Sequence, residues 1–363
     1  MPDLQHLVFY KINFLQISTL QSLHGRWWDL RYIFKRSSFL HTMKQVREMT
    51  YVVIFDTCLS LFLLKECLFL HSVDMLNKFI SQDLVFCNDS VVNSDCDLVA
   101  GDVIRFLTPQ ELEPPVQEKY DILYEDEFLF VVNKPAQLPV HPVGKYYFNT
   151  LTKILERDGF SNQGKLFPIH RIDKETSGIV LFAKTNEVAK KLQLLFSGEG
   201  VEKIYLGIIM GVLPQLEGVF SWSLRQIDTD LIRNTVIVAK DGKLAKTTYR
   251  VLEFVEEFSL IRLKLSTGRK HQIRVHLATA GTPLVGDKQY GSYPDLFLKV
   301  SDNPFGNYAE IEKKLFMSRQ ALHCAEISFL HPFISKKMTF RSKLPADMLS
   351  FLNSKGFKKQ VLF

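Results

Sequence analysis

The sequence predicts an α+β protein built around a mixed or antiparallel β-sheet. Five segments alternate apolar and polar residues with the period of two that strands require, and only two nearby segments have the spacing of a helix. Strands therefore dominate and helices are irregularly interspersed, which is typical of α+β folds. The predicted strands are 128–135, 178–185, 203–212, 247–255 and 259–268, and the predicted helices are 186–196 and 271–281.

Length and composition indicate a globular protein with a large core. The chain has 363 residues, 46% of them hydrophobic, which is enough for two or three domains. The net charge of +6 favours a polyanionic partner such as nucleic acid, although many ordinary enzymes are equally basic. The most apolar segment, residues 51–70, contains Asp56, Lys65 and Glu66, so we expect no membrane-spanning helix.

Composition also divides the chain into four parts. Residues 1–48 are aromatic and basic, an extension of unknown role for which an organellar presequence, a bland extension and a start at Met49 are alternatives. Residues 49–107 change from a helical to an extended period, as expected for a small helix-helix-strand domain. Residues 108–119 have the prolines, Glu and Gln of a linker, and residues 120–363 form the second domain.

The stretch HRIDKETSGIV places Asp173 directly before a β-branched apolar strand. Its carboxylate can accept hydrogen bonds from the amides of the following turn, and Arg171 and Lys174 would keep it ionised, as a nucleophile requires. The alternative is an aspartate that only caps a turn, because Asp and Ser are common turn formers. Local sequence alone favours the turn.

A second group of charged residues lies in STGRKHQIRVHL, residues 266–277. If a helix begins near Lys270, Arg269 and His276 share one face and Arg274 lies on another. Arginine and histidine at a helix start suit a phosphate or a carboxylate. A solvated basic helix is an equal alternative.

Two other segments have plain structural explanations. KIYLG places Tyr205 on a strand, with Lys203 before it on the same face, and a tyrosine in an alternating apolar strand is usually a core residue. GTPLVGDKQYG, residues 281–291, is predicted to form two tight turns that shape the wall of a site without acting in it.

The sequence predicts neither a cofactor nor a metal. It contains no GxGxxG after a strand, no phosphate-loop lysine motif and no HExxH, and its histidines fit no ligand spacing. Five cysteines form no CxxC pair, and their odd number argues against a disulfide framework and favours a reducing compartment. Any chemistry should therefore come from side chains alone.

Together these motifs resemble the RluA family of pseudouridine synthases in order and spacing. The resemblance rests on HRIDKETSG, KIY, TGRKHQIRVHLATAGTPLVGDKQYG, ALHCAEISFLHP and the earlier NKPAQLPVHP. It extends over about residues 59–345, and residues 49–107 resemble the RNA-binding module called the S-four domain. That segment departs from the module at Cys58 and Ser60, where Arg and Asp are usual.

The resemblance implies a role for each matching residue. Asp173 matches the catalytic aspartate, and Arg171 matches the neighbour that helps to extrude the target base. Tyr205 matches the active-site tyrosine, and Arg274 matches the arginine that pairs with the aspartate. Further candidates for RNA contact are Lys203, Arg269 and His271.

The resemblance implies an enzyme that isomerises uridine to pseudouridine in RNA without a cofactor. Large-subunit ribosomal RNA is the expected substrate, because the S-four-like module is typical of that branch, and we expect a cytoplasmic monomer, with an organelle as the alternative location. The same chemistry on transfer RNA or organellar ribosomal RNA is one alternative. A catalytically silent RNA-binding or ribosome-assembly factor is another, but such a protein has no need of Asp173, Tyr205 and Arg274.

Overall fold

The structure, a computed structural model, describes residues 45–66, 73–160, 165–198, 200–227, 235–291 and 313–358. The predicted extension 1–48 therefore lies almost wholly outside the described residues. Residues 44–363 form one compact unit. None of the helices in the described ranges has the length and apolar character needed to cross a membrane.

A small antiparallel sheet and two helices make up the first part of the described chain. Asn88 and Asp89 have positive φ angles of 47° and 68° and form the two-residue turn of its hairpin, as such turns require. One face of the sheet is covered by a helix, with the rings of Phe79 and Phe106 4.7 Å apart. The strands are β1 (Val46–Val52), β3 (Val85–Cys87), β4 (Ser90–Val91) and β6 (Val103–Pro109) in the order β1-β6-β3-β4, β2 (Thr57–Cys58) pairs with β5 (Asp97–Leu98), and the helices are α1 (Leu59–Glu66) and α2 (Val73–Ile80).

The second part is built on one large mixed sheet. Its strands are β7 (Asp121–Glu125), β8 (Leu129–Lys134), β9 (Phe167–Pro168), β10 (Ser177–Ala183), β11 (Val201–Met210), β12 (Glu217–Ile227), β13 (Thr235–Val238), β14 (Lys243–Val255), β15 (Phe258–Leu265), β16 (Leu322–Leu330) and β17 (Lys337–Arg341). The main path runs β13-β12-β14-β15-β11-β16-β10-β8-β7, with β17 beside β16 and β9 beside β10. Among the described strands only β10 and β16 run parallel. This confirms the predicted fold class.

Helices cover both faces of the large sheet. Alternate residues of β11 enter different cores, because side chains alternate across a strand. Tyr205 belongs to the core that also contains residues of three helices, and Leu206 belongs to the core that contains residues of a fourth. The first three are α3 (Leu151–Arg157), α4 (Asn186–Ser197) and α5 (Gln272–Thr279), and the fourth is α6 (Ala346–Ser354).

The predicted elements of this part are present with small shifts at their ends. The five predicted strands are β8, β10, β11, β14 and β15, and the two predicted helices are α4 and α5. Thr185 caps α4 by accepting a hydrogen bond from the Val188 N–H at 3.3 Å. The helix expected to begin near Lys270 begins at Gln272, because His271 has a left-handed φ of 53°, which no helical residue adopts.

The predicted linker, residues 108–119, makes ordered contacts with the large-sheet part. Strand β6 continues to Pro109, a turn of 3-10 helix follows, and the buried Glu113 carboxylate accepts backbone hydrogen bonds. Its donors are the N–H groups of Tyr147 (2.9 Å), Phe148 (3.0 Å) and Asn149 (2.8 Å). The domain boundaries themselves remain a prediction.

Candidate active site

A cavity of about 400 Å³ opens where the segment before β10, strand β11 and the β15–α5 loop meet. Its volume is in the range of small-molecule sites. All seven residues singled out in the sequence line it, although they come from three separate stretches of chain. They are Arg171, Asp173, Lys203, Tyr205, Arg269, His271 and Arg274.

Asp173 lies in the cavity wall, and its side chain is 25% exposed. Its Oδ2 accepts hydrogen bonds from Arg274 Nη1 at 3.2 Å and from Gln320 Nε2 at 3.3 Å. The expected hydrogen bonds from loop amides are not formed by the described residues; the turn is closed instead by the Thr176 N–H and the Asp173 backbone carbonyl, 3.1 Å apart. Asp173 is therefore a turn residue whose carboxylate remains directed into the cavity.

The neighbouring cations expected to keep Asp173 ionised have other partners. Arg171 Nη1 lies 3.0 Å from His141 Nε2, and Lys174 Nζ donates to the Tyr146 hydroxyl at 3.3 Å. The cation that contacts the carboxylate is Arg274, which is distant in sequence. The cation that pairs with Asp173 therefore comes from α5 and not from its neighbours in the sequence.

A close backbone approach fixes the strand that follows Asp173. Gly178 has φ of +112°, and a Cβ there would lie 2.2 Å from the Cys324 carbonyl oxygen. The residue must therefore be glycine, which allows β10 to pair in parallel with β16 at Gly178 and Cys324. This pairing brings β16, and Gln320 just before it, to the Asp173 carboxylate.

Arg274 projects from α5 and is clamped by a second carboxylate. Its Nε donates to Asp287 Oδ2 at 2.7 Å and its Nη2 to Asp287 Oδ1 at 2.9 Å, while Nη1 remains for Asp173. Arg274 and Asp287 are 7% and 1% exposed. The first six residues of α5, Gln272 to Leu277, are buried, so this is not a solvated basic helix.

The charges of the site favour an ionised Asp173. Burial alone would raise its pKa, but His271, Arg274 and the Gln320 hydrogen bond outweigh burial and lower it. Burial lowers the pKa of His271 to about 4, so its imidazole is neutral at pH 7 and Arg274 then supplies the positive charge. Arg274 itself has a raised pKa because Asp287 outweighs its burial.

Tyr205 lies on the cavity side of β11 and is 7% exposed. Burial, the Cys324 thiol and the charge of Asp173 raise the pKa of its hydroxyl well above the ordinary value. The phenol is therefore protonated at neutral pH, and can donate a proton or a hydrogen bond but not act as the initial base. Tyr205 is thus a core residue, as its strand pattern predicts, that also forms part of the cavity wall.

The candidate RNA-contact residues lie around the same cavity. Arg171 and Arg269 are exposed. Arg269 Nε donates to the Leu244 carbonyl at 3.2 Å, and Lys203 Nζ donates to the Phe196 carbonyl at 3.0 Å. Their cations are therefore placed near the cavity by backbone contacts.

Two residues of the site were missed in the sequence. Asp287 falls in the segment predicted only to shape a wall, and Gln320 falls in none of the predicted elements. The sequence signal for the first is the glycine directly before it. Gly286 has φ of +76°, and a Cβ there would lie 1.9 Å from the Arg319 carbonyl oxygen, so this turn is held tightly against the chain next to Gln320. For Gln320 we find no local signal.

Within the described ranges no group of three or more His, Cys, Asp or Glu side chains could hold a metal ion. What the cavity does contain is an ionised carboxylate, a clamped guanidinium and a protonated phenol. A carboxylate of this kind can attack an electrophilic carbon or remove a proton, and the buried cation stabilises its charge.

Comparisons with known proteins agree on one family. Residues 128–279 match the family described as RNA pseudouridylate synthase. The chain is 34% identical over 234 residues to Ribosomal large subunit pseudouridine synthase D of Zymomonas mobilis, covering 63% of this chain and 70% of that protein. The protein of the same name from Buchnera aphidicola is 32% identical over 288 residues, covering 78% of this chain and 89% of that protein.

A solved structure is also similar to this chain. It is Human RNA Pseudouridylate Synthase Domain Containing 4, which is 26% identical with a TM-score of 0.50 and covers 64% of this chain and 92% of that one. The sequence and structural comparisons therefore point to the same fold.

Proposed function

This chain belongs to the RNA pseudouridylate synthase family, and from that membership we propose that it isomerises uridines of large-subunit ribosomal RNA. It is an isomerase that acts on RNA. Relatives at 34% and 32% identity that are named Ribosomal large subunit pseudouridine synthase D support the choice of substrate. The observation that carries the catalytic assignment is the Asp173 carboxylate paired with the clamped Arg274 in the cavity wall.

The reaction breaks the bond between the ribose C1′ and the uracil N1 and joins C1′ to C5. The C5 proton is lost and N1 gains a proton, so no oxidant or cofactor is needed. In the proposed mechanism Asp173 starts the reaction, either by attacking C1′ or by removing a ribose proton to give a glycal. Arg274 keeps the carboxylate ionised and in place.

Tyr205 is assigned to the base after it detaches. Its ring can stack on the uracil, and its hydroxyl, protonated at neutral pH, can donate to the base while the uracil turns. Buried apolar neighbours such as Ile172 and Leu322 exclude water that would otherwise capture the detached sugar.

The target nucleotide must leave its stack to reach the cavity, which costs a few kcal/mol. Arg171 lies exposed at the cavity wall beside His141, and we assign it to the space that the flipped base vacates. Lys203, Arg269 and His271 are assigned to RNA contact around the same opening.

We also propose that residues 49–107 are an S-four-like RNA-binding domain, joined by residues 108–119 to a catalytic domain of residues 120–363. Two helices and a hairpin with a tight Asn88-Asp89 turn support this proposal. Arg105 pairs with Asp89 at 2.9 Å, so the exposed Lys78 is the better candidate for a phosphate contact. The role of residues 1–48 stays open.

A cytoplasmic monomer is the form proposed for this enzyme, with an organelle as the alternative location. Ribosomal RNA is available in both places. Cell fractionation and light scattering of the purified chain test the location and the oligomeric state.

The experiment for the function measures release of tritium from RNA labelled at C5 of uridine. Wild-type protein should release tritium from large-subunit ribosomal RNA, and Asp173→Asn should release none while still binding RNA. Asp121→Asn is the matched control, because Asp121 is an exposed carboxylate on β7 outside the cavity. Release only from transfer RNA would identify the alternative substrate, and binding without release from any RNA would identify a silent factor.

A further inference from the structure

We propose that Gln320 is a positioning residue that engages Oδ2 of Asp173 and leaves Oδ1 as the oxygen that acts on the ribose. The inference rests on the proposed function of Asp173. It assigns separate tasks to the two oxygens of one carboxylate.

The two oxygens of Asp173 have different surroundings. Oδ2 accepts from both Arg274 Nη1 at 3.2 Å and Gln320 Nε2 at 3.3 Å. No described residue donates a hydrogen bond to Oδ1, and His271 Nε2 lies 3.9 Å from it. Because donors occupy the lone pairs of Oδ2, the lone pairs of Oδ1 are the ones free to react.

The orientation of the Gln320 side chain is determined by its neighbours. The residue is 2% exposed, and its Nε2 also donates to Thr176 Oγ1 at 2.9 Å. An ionised carboxylate can only accept, so the amide must present its NH2 group and not its oxygen to Asp173. One NH2 group thus bridges Thr176, on the turn after Asp173, and Oδ2 itself.

An ion pair between Glu175 and Lys288 helps to hold the backbone of Gln320 in place. The Gln320 N–H lies 3.4 Å from Glu175 Oε2, and Lys288 Nζ donates to Glu175 Oε1 at 2.7 Å. The pKa of Glu175 is lowered because Lys288 and other cations outweigh its burial, so it stays ionised as an acceptor. The backbone of Gln320 is therefore held independently of the Asp173 contact.

A neutral donor suits this position better than a second cation would. Arg274 already balances the charge of Asp173, and another cation at Oδ2 would weaken the carboxylate as a nucleophile or base. An amide fixes the torsion of the carboxylate without adding charge. Without it, the carboxylate can rotate about its bond to Cβ and exchange its two oxygens.

The first test compares Gln320→Leu, Thr176→Val and the wild type by tritium release as a function of pH. Losing the donor should lower kcat on the order of 10²-fold, as misplacement of a reacting group does, with KM for RNA unchanged. The acidic limb of kcat/KM should move to higher pH, because a hydrogen bond that favours the charged carboxylate is gone. Thr176→Val should give the same changes at smaller size.

Gln110→Leu is the matched control, since it also removes an amide hydrogen bond, at 3.0 Å to Asn149, but lies outside the cavity. It should leave the pH profile unchanged. A folded Gln320→Leu protein with wild-type kcat and acidic limb overturns the proposal. If that variant does not fold, an unchanged profile of Thr176→Val overturns it.

The second test is direct. A structure with RNA that carries 5-fluorouridine, which has no C5 proton to lose, should place Oδ1 nearer to the ribose than Oδ2. The reverse order overturns the assignment. A wild-type protein inactive on every RNA would instead refute the proposed function, so the two failures are distinguishable.

Discussion

Replacing Asp287 with alanine should destabilise the protein and slow the reaction together, although Asp287 need not touch the substrate. The carboxylate makes two hydrogen bonds to Arg274, at 2.7 and 2.9 Å, and its Oδ1 also accepts from the Gln289 and Tyr290 N–H groups at 3.0 and 2.9 Å. Alanine leaves all four donors without this partner. Among the described residues, Asp173 would then be the one carboxylate still paired directly with the buried guanidinium.

The size of the effect follows from burial. Removing one partner of a buried ion pair costs about 3–5 kcal/mol, because the remaining charge is uncompensated. We expect the free energy of unfolding to fall by about 4 kcal/mol for Asp287→Ala. Asp287→Asn keeps an oxygen for the two amides and should lose about 2 kcal/mol, as for a hydrogen bond to a charged group.

The effect on activity follows from the freed guanidinium. Without its clamp Arg274 can turn away from Asp173, and displacement of a reacting group by about 1 Å can cost on the order of 10²-fold in rate. We therefore expect kcat to fall by about that factor in both variants. Urea unfolding measures the first quantity and tritium release from RNA measures the second.

Asp347→Ala provides the control, because Asp347 forms the same two-bond contact with Arg319, at 2.6 and 2.9 Å, away from the cavity. The Asp347 side chain is 45% exposed, so the loss of stability should be smaller. In the variant Arg319 can still donate hydrogen bonds to the carbonyls of Glu175, Gln320 and Leu322. Its kcat should be unchanged. A loss below about 1 kcal/mol for Asp287→Ala, with wild-type kcat, would refute the reasoning from a buried clamp.

Three further predictions concern Tyr205, Glu113 and the buried histidines. Tyr205→Phe should slow product formation more than the initial attack, so an RNA–protein or glycal intermediate should accumulate on rapid quenching; slow product without an intermediate would count against its role. Glu113→Ala should lower the free energy of unfolding by roughly 2–3 kcal/mol, because three backbone N–H groups lose their acceptor, and Glu113→Gln should recover part of it in a urea titration. His276 and His323 are 0% and 1% exposed, and burial lowers the pKa of each to about 4; both are neutral when folded but protonate near 6.5 when unfolded. Stability should therefore fall as pH drops from about 6.5 to 4, by up to about 1.4 kcal/mol per pH unit for each histidine, and His323→Gln should flatten that slope.

Much of the fold was predictable from local sequence. Strands β8, β10, β11, β14 and β15 are recognisable as short segments rich in apolar and β-branched residues. The β12 and β16 strands were not assigned, although both belong to the same sheet. The place of β16 depends on pairing with β10 and β11, which lie far away along the chain and are not encoded in a local period. Strand β12 pairs with its neighbours along the chain, β13 and β14.

The candidate site, too, was only partly predictable from the sequence. Motif order identified Asp173, Tyr205 and Arg274, and the structure places all three around one cavity. Sequence neighbours were a poor guide to contacts, since Arg171 and Lys174 have other partners and the Asp173 carboxylate instead meets Arg274, 101 positions away. Its second donor, Gln320, is 147 positions away.

By itself, then, the amino-acid sequence determined the fold class, the family and the residue types available for chemistry. Those depend on periodicity and on motifs, which are properties of short stretches of chain. Tertiary structure alone decided that Asp287 clamps Arg274, that Gln320 engages one oxygen of Asp173 and that Tyr205 lines the same cavity as Asp173. These follow from burial and from distances of about 3 Å between remote segments, and both exist only after the parallel pairing of β10 with β16 has brought those segments together.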